Sequence, residues 1–194
     1  MIILNNIHLS FSDKVLFDGI NWTIHEKSRI GLVGDNGTGK TTLLRTILGD
    51  VWLESGSVEI PNRRNRVIGY LPQDLVELPD VELLAYLRNR SGIAEMEREI
   101  GRLETEISET DPADPLHAEA MKEYERVAAR FQAVDGYAFE ARAKQILAGF
   151  GFRERDFGKR CTDFSGGWKM RIQLSLILLS RPDVMLLDEP TNHL

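Results

Sequence analysis

Eight consecutive residues, Gly34-Asp35-Asn36-Gly37-Thr38-Gly39-Lys40-Thr41, set three glycines, a lysine and a hydroxyl in an order suited to holding phosphate. Glycines let successive backbone N–H groups turn toward anionic oxygens, and a helix that starts at the lysine adds a partial positive charge at its N-terminus. The Lys40 ammonium then reaches the β- and γ-phosphates of a nucleotide, and the Thr41 hydroxyl offers an oxygen to Mg²⁺. A second group lies far downstream, where the apolar run Val184-Met185-Leu186-Leu187 ends in two adjacent carboxylates, Asp188 and Glu189, before Pro190. Side chains alternate along a strand, but where the backbone turns at its end both acids can face one site. There Asp188 holds Mg²⁺ through water and Glu189 polarises the attacking water as general base. Alone, each motif has a plain structural explanation, a glycine turn or a solvated strand end; together they point to phosphoryl transfer. A third segment, Phe164-Ser165-Gly166-Gly167-Trp168, reads as another anion-binding helix start, with Ser165 as N-cap and two glycines that allow close backbone approach.

The elements that must position these groups alternate in type. Short strands are expected at 2–4, 7–11, 15–17, 28–33, 56–60, 66–71 and 184–187, a helix from Lys40, and another over 168–179. Strand, phosphate loop, helix and a later buried strand define an α/β class. Between them, Ile93, Met96, Ile100, Leu103 and Ile107, and then Ala120, Tyr124, Val127, Phe131 and Val134, recur at alternating spacings of three and four. Both are a/d seams. Prolines at 112 and 115 disfavour helix in the residues just before them, so 110–115 reads as a turn and the helices fold back as an antiparallel hairpin. A pair of ordinary amphipathic core helices is the alternative; the densely charged outer faces favour the hairpin. Each seam covers only about two heptads, so the hairpin is expected to lean on the body at its base. Residues 77–144 carry 16 Asp and Glu against 9 Lys and Arg, a balance of −7, while the rest carries 14 against 15, a balance of +1. The expected division is therefore a core of 1–76 and 145–194 and a helical subdomain of 77–144 containing the hairpin at about 93–134.

Composition narrows the class further. The 194 residues are 42% hydrophobic and 28% charged, which suits a compact globular domain. Apolar runs fall far short of the roughly 20 residues that cross a bilayer, and the N-terminus lacks a secretion signal, so a cytoplasmic protein without membrane insertion is expected. The single cysteine, Cys161, reads as a packing residue.

Adding Gln73, in Gly69-Tyr70-Leu71-Pro72-Gln73, to the phosphate loop, the Ser165-Gly166-Gly167 signature and Leu187-Asp188-Glu189-Pro190 gives a set that resembles an ATP-binding cassette (ABC) ATPase. The motifs frame nearly the whole chain, from Phe11 to Leu194. The resemblance implies a P-loop α/β cassette with an inserted helical subdomain, in which Gly34, Asp35, Asn36, Gly37, Thr38, Gly39, Lys40, Thr41 and Thr42 bind ATP. It implies that Phe11 stacks on adenine, with Phe17 as the alternative register and a core aromatic as the plain reading of either. Gln73 would contact Mg²⁺ and the attacking water, beside the Mg²⁺ ligands Thr41 and Asp188, and Glu189, Gln73 and Lys40 would form the catalytic set. Ser165, Gly166 and Gly167 would serve a nucleotide held by a second cassette, in a head-to-tail sandwich.

Within that superfamily the run Phe164 to Arg171, with Trp168 where transporters usually carry glutamine, the segment Asp188-Glu189-Pro190-Thr191-Asn192-His193-Leu194, and the 92 positions from Gln73 to Ser165 resemble the first cassette of the ABC-F group. Those proteins have two cassettes and no membrane domain. The resemblance implies an ATP-hydrolysing cassette that works in translation at the ribosomal tRNA exit site, its hairpin arm reaching ribosomal RNA or protein. The alternative is the nucleotide-binding domain of an ABC membrane transporter; a DNA-repair or chromosome-type ATPase would need a longer coiled coil or a zinc module. The chain stops at Leu194, before the aspartate that closes the D-loop and the switch histidine, so a fragment lacking its second cassette and only weakly active alone is expected. Because the insert is acidic, any RNA contact falls to local patches, Arg63, Arg64 and Arg66 or Arg88 and Arg90, with a solvated loop an equal reading of 62–66.

Overall fold

The computed structural model describes residues 1–11, 14–74 and 77–190. Its contacts divide the chain into two units, Met1–Gln73 with Pro182–Pro190, and the stretch from Asp74 to Arg181. The first unit opens with two long antiparallel strands, β1 (Ile2–Phe11) and β2 (Lys14–Ile24), followed by α1 (Lys40–Leu48), β3 (Ser55–Glu59), β4 (Ile68–Leu71) and, after the whole helical unit, β5 (Val184–Leu187). β1 is the middle of a three-stranded sheet ordered β2-β1-β3, and β4 and β5 form a separate parallel pair. The separate short strands expected at 2–4 and 7–11 are one strand, because Asn6 takes a left-handed φ of 45° and absorbs a register shift without ending the ladder. Ile2, Leu4, Ile7 and Leu9 face one core with Phe17, Leu44, Ile47, Ile60 and Leu186.

The strand expected over residues 28–33 is absent. This segment has no ladder partner among the described residues, and its apolar side chains lie open, Val33 at 98% exposure. Apolar β-branched composition favours a strand only where another strand supplies the other half of each hydrogen bond.

The helical unit holds α2 (Leu83–Arg90), α3 (Ile93–Glu109), α4 (Pro115–Ala133), α5 (Phe139–Gly149) and α6 (Gly166–Leu179). α3 and α4 are the hairpin, closed along Met96, Ile100, Leu103 and Ile107 against Ala120, Tyr124, Val127 and Phe131. Pro115 belongs to α4 rather than to the turn: proline is tolerated at the first helical position, and Asp114 caps that helix by accepting from the Leu116 N–H at 2.9 Å. Val134 lies just past the helix as its C-cap and is exposed. The seam runs into the same core as Leu83, Leu87, Phe139 and Leu147, so the hairpin does lean on α2 and α5. Arg88 ties that foot together, pairing with Glu97 of α3 at 3.2 Å and Glu140 of α5 at 2.9 Å. The division expected at 144/145 instead falls after Arg181, because α5 and α6 pack with the helices before them.

Candidate nucleotide site

In the first unit the phosphate loop ends at Gly39, whose φ of 98° makes it the left-handed N-cap of α1. A side chain there would be strained and crowded, since a Cβ would come within 3.2 Å of Phe17 Cε1. Lys40 folds back over the loop, its Nζ donating to the carbonyls of Gly34 at 2.7 Å and Asp35 at 2.9 Å. Thr38 Oγ1 donates to the same Asp35 carbonyl at 2.9 Å. The ammonium is thus held over the loop by weak carbonyl partners that a phosphate, with full negative charge, can displace. Asn36 and Gly37 are exposed, Thr41 and Thr42 half-buried in the first turn of α1.

β4 and β5 bring the remaining groups together. Parallel pairing sets Leu71 opposite Leu187, so Gln73 and Glu189, each two residues further on, leave the sheet side by side. Gln73 Nε2 donates to Glu189 Oε2 at 3.1 Å. Simple alternation would send Asp188 and Glu189 to opposite faces, but Glu189 has φ of 46°, left-handed for a residue with a Cβ, and this breaks the pleat. Asp188 is 3% exposed, its N–H bonded to the Leu71 carbonyl at 3.0 Å, and its Oδ2 is buried with no hydrogen-bond partner among the described residues. A buried anionic oxygen without a donor fits a hard cation, and hydroxyl, carboxylate and phosphate oxygens are the donors Mg²⁺ takes. No three His, Cys, Asp or Glu side chains converge among the described residues.

The two aromatic alternatives separate. Phe17 is 4% exposed, packed in the β-core and against Gly39, whereas Phe11 is 54% exposed at the end of β1. Of these two, Phe11 is the one with an exposed ring.

In the helical unit Ser165, Gly166 and Gly167 do begin α6, two residues earlier than expected. Ser165 takes an extended N-cap conformation but its hydroxyl makes no capping bond, so the first N–H groups of α6 are not satisfied by that side chain. Trp168 is anchored beneath: its ring meets Phe152 edge-on at 4.7 Å, and the Arg171 guanidinium lies over it at 4.7 Å. Phe152 also meets Phe164 at 5.5 Å, so aromatic packing fixes the direction of this helix start.

The basic patches are largely consumed within the units. Arg63 donates to the carbonyls of Ile47, at 3.1 Å, and Leu48, capping the C-terminus of α1. Arg66 pairs with Asp183 at 3.0 Å and Glu26 at 2.9 Å, and Arg88 is committed to the hairpin foot. Arg64 and Arg90 have no ion-pair partner among the described residues. Residues 191–194, part of the expected downstream motif, lie outside the described residues.

One residue near the loop escaped the sequence reading. Lys14, the first residue of β2, donates from Nζ to the Gly37 carbonyl at 2.9 Å. Its signal was its place at the start of β2, where it pairs with Phe11 of β1.

Phosphate loop, strand-end acid pair and α/β layering together define a P-loop nucleotide-binding cassette. The pattern of the family described as "ABC transporter" matches residues 17–192, and the chain belongs to that family. "Probable ATP-binding protein YheS" of Escherichia coli K12 is 31% identical over 194 residues, covering 100% of this chain and 28% of its own length. "ABC transporter F family member 5" of Arabidopsis thaliana is 33% identical over 98% of this chain and 28% of the relative. The chain therefore spans little more than a quarter of these relatives, and the resemblance to the F group holds at the level of one cassette. Among solved structures, the ATP-binding cassette MJ0796, described as dimeric and bound to ADP and Pi, superposes with a TM-score of 0.64 at 20% identity, covering 100% of this chain and 76% of that one. No helix among the described residues is long and apolar enough to cross a membrane.

Proposed function

We propose that the chain is the ATP-binding and hydrolysing cassette of an ABC-F protein that acts on the ribosome. The observation that carries the catalytic half is the Gln73–Glu189 hydrogen bond at the end of a strand, next to Asp188, whose buried Oδ2 has no hydrogen-bond partner among the described residues. Phe11 offers its exposed ring to adenine, and the residues 34–42 cradle the phosphates. Lys40 exchanges its two carbonyl partners for β- and γ-phosphate oxygens. Thr41 and Asp188, with Gln73, are the residues that would hold Mg²⁺, which when bound neutralises charge on the phosphates. Glu189 takes the proton of the water that attacks the γ-phosphorus, and Gln73, already bonded to Glu189, orients that water. The bond from the γ-phosphorus to the bridging oxygen breaks, and ADP and inorganic phosphate leave. Most of the catalysis in this chemistry is positioning and charge stabilisation rather than covalent participation. Ser165, Gly166 and Gly167 act on the nucleotide of a facing second cassette, a role supported by the start of α6 at these residues with no capping bond from the Ser165 side chain.

The ribosomal half rests on the resemblance of the sequence motifs to the ABC-F group and on the hairpin, whose seam is self-contained apart from its foot. Its test uses a two-cassette protein carrying this sequence. Replacing residues 93–134 by a short Gly/Ser link should leave ATP binding intact and abolish co-sedimentation with ribosomes; undiminished co-sedimentation refutes the arm's role. A transporter cassette is the second reading, supported by the description of the family as "ABC transporter". Stable co-purification with a membrane subunit would decide for it. The nucleotide site is tested by Lys40→Ala, which should abolish calorimetric ATP binding in a folded chain.

A further inference from the structure

We propose that Lys14 is a positioning residue of the phosphate loop, a second cation that aims one of its peptide groups at the nucleotide; the proposal rests on the ATP-binding reading above. Lys14 enters the loop from a different element, whereas Lys40 and Thr38 bond it from within. β2 runs alongside the loop: Lys14 lies at Gly37, and Leu16 and Phe17 lie against Gly39, where a Cβ would meet their side chains at 3.7 and 3.2 Å.

The Gly37 carbonyl and the Thr38 N–H belong to one peptide unit. That unit is planar and trans, so its oxygen and its hydrogen point in opposite directions, and fixing one fixes the other. Gly37, with φ of 78° and nothing within 4 Å of a would-be Cβ, has no steric reason to hold one orientation. The 2.9 Å bond from Lys14 supplies the reason. In exchange the Thr38 N–H makes only a long bond, 3.4 Å, to the Asp35 carbonyl. A phosphate oxygen is a far better acceptor and would take it over. Polarisation of the peptide by the ammonium strengthens that donor as well.

Lys14 is also the cross-strand partner of Phe11 in the hairpin that ends β1. The register of β1 and β2 therefore sets the exposed Phe11 opposite the cation that orients the phosphate loop.

The test is calorimetry of the 194-residue chain with ATP, ADP and adenosine, for the wild type, Lys14→Met and Lys14→Arg. Lys14→Met keeps the alkyl stem and removes the donor and its charge. It should weaken ATP and ADP about three- to tenfold, the size of one such hydrogen bond, and leave adenosine unchanged. Lys14→Arg should keep most of the ATP affinity. Melting of the nucleotide-free protein should not move, because Lys14 is exposed. If the wild type binds no ATP, the functional reading itself falls. If the wild type binds ATP and Lys14→Met binds it equally well, or loses adenosine and melting temperature in parallel, Lys14 has no positioning role.

Discussion

Gln73 and Glu189, 116 positions apart in the chain, share a 3.1 Å hydrogen bond across the ends of two parallel strands. The register that pairs Leu71 with Leu187 creates it, and the left-handed turn at Glu189 aims the carboxylate into it. The amide of Gln73 thereby fixes the direction of the Glu189 carboxylate at the end of β5.

Glu189→Gln in a two-cassette protein should therefore keep ATP binding and lose hydrolysis. The substitution preserves shape and removes basicity, and loss of a general base typically costs about 10² to 10⁴ in rate. Single-turnover hydrolysis at the matching site measures it; a wild-type rate assigns the base elsewhere.

Phe152 supports the start of α6 through edge contacts with both Phe164 and Trp168, and it is 4% exposed. Phe152→Ala should destabilise the folded chain by about 3–5 kcal/mol, read as a lower urea midpoint. An unchanged midpoint would mean that the aromatic cluster is not packed as described.

Cys161 is fully buried, and burial pushes its thiol up to about 11. Since the thiolate is the reactive form, the native protein should resist a thiol reagent near pH 8 and react stoichiometrically once unfolded in denaturant. Rapid labelling of the native protein would contradict the packing.

Asp183 closes the start of the parallel pair: its carboxylate accepts from the Val67 N–H at 2.9 Å and from Arg66 at 3.0 Å. The backbone bond first, and then the guanidinium, hold its carboxyl below the ordinary value of 3.8. A depressed carboxylate contributes stability that is complete above its unfolded-state value and is lost as pH falls through the folded-state value. Asp183→Asn should thus melt below the wild type near neutral pH, with the difference closing as pH drops below 3.8. A constant difference across that range would show that charge plays no part.

The sequence by itself determined whatever is local in the chain. The phosphate loop needs contiguous glycines and a following helix, the hairpin needs two a/d seams and prolines between them, and strand β5 needs an apolar run, so each announces itself within a few residues. The tertiary structure decided the partners. Which strand lies beside β5 makes Gln73 the neighbour of Glu189, and the path of β2 brings Lys14 to Gly37 while burying Phe17 and leaving Phe11 open. The fate of the arginines was equally hidden, because a basic cluster reads the same whether it faces solvent or, like Arg63, caps a helix and, like Arg88, fastens three helices. Residues 28–33 show the converse: β-favouring composition cannot form a ladder alone, since half of every ladder hydrogen bond belongs to another strand. Local backbone geometry follows from neighbouring side chains, whereas long-range pairing depends on which surfaces meet when the whole chain packs, and no short window of sequence contains both surfaces.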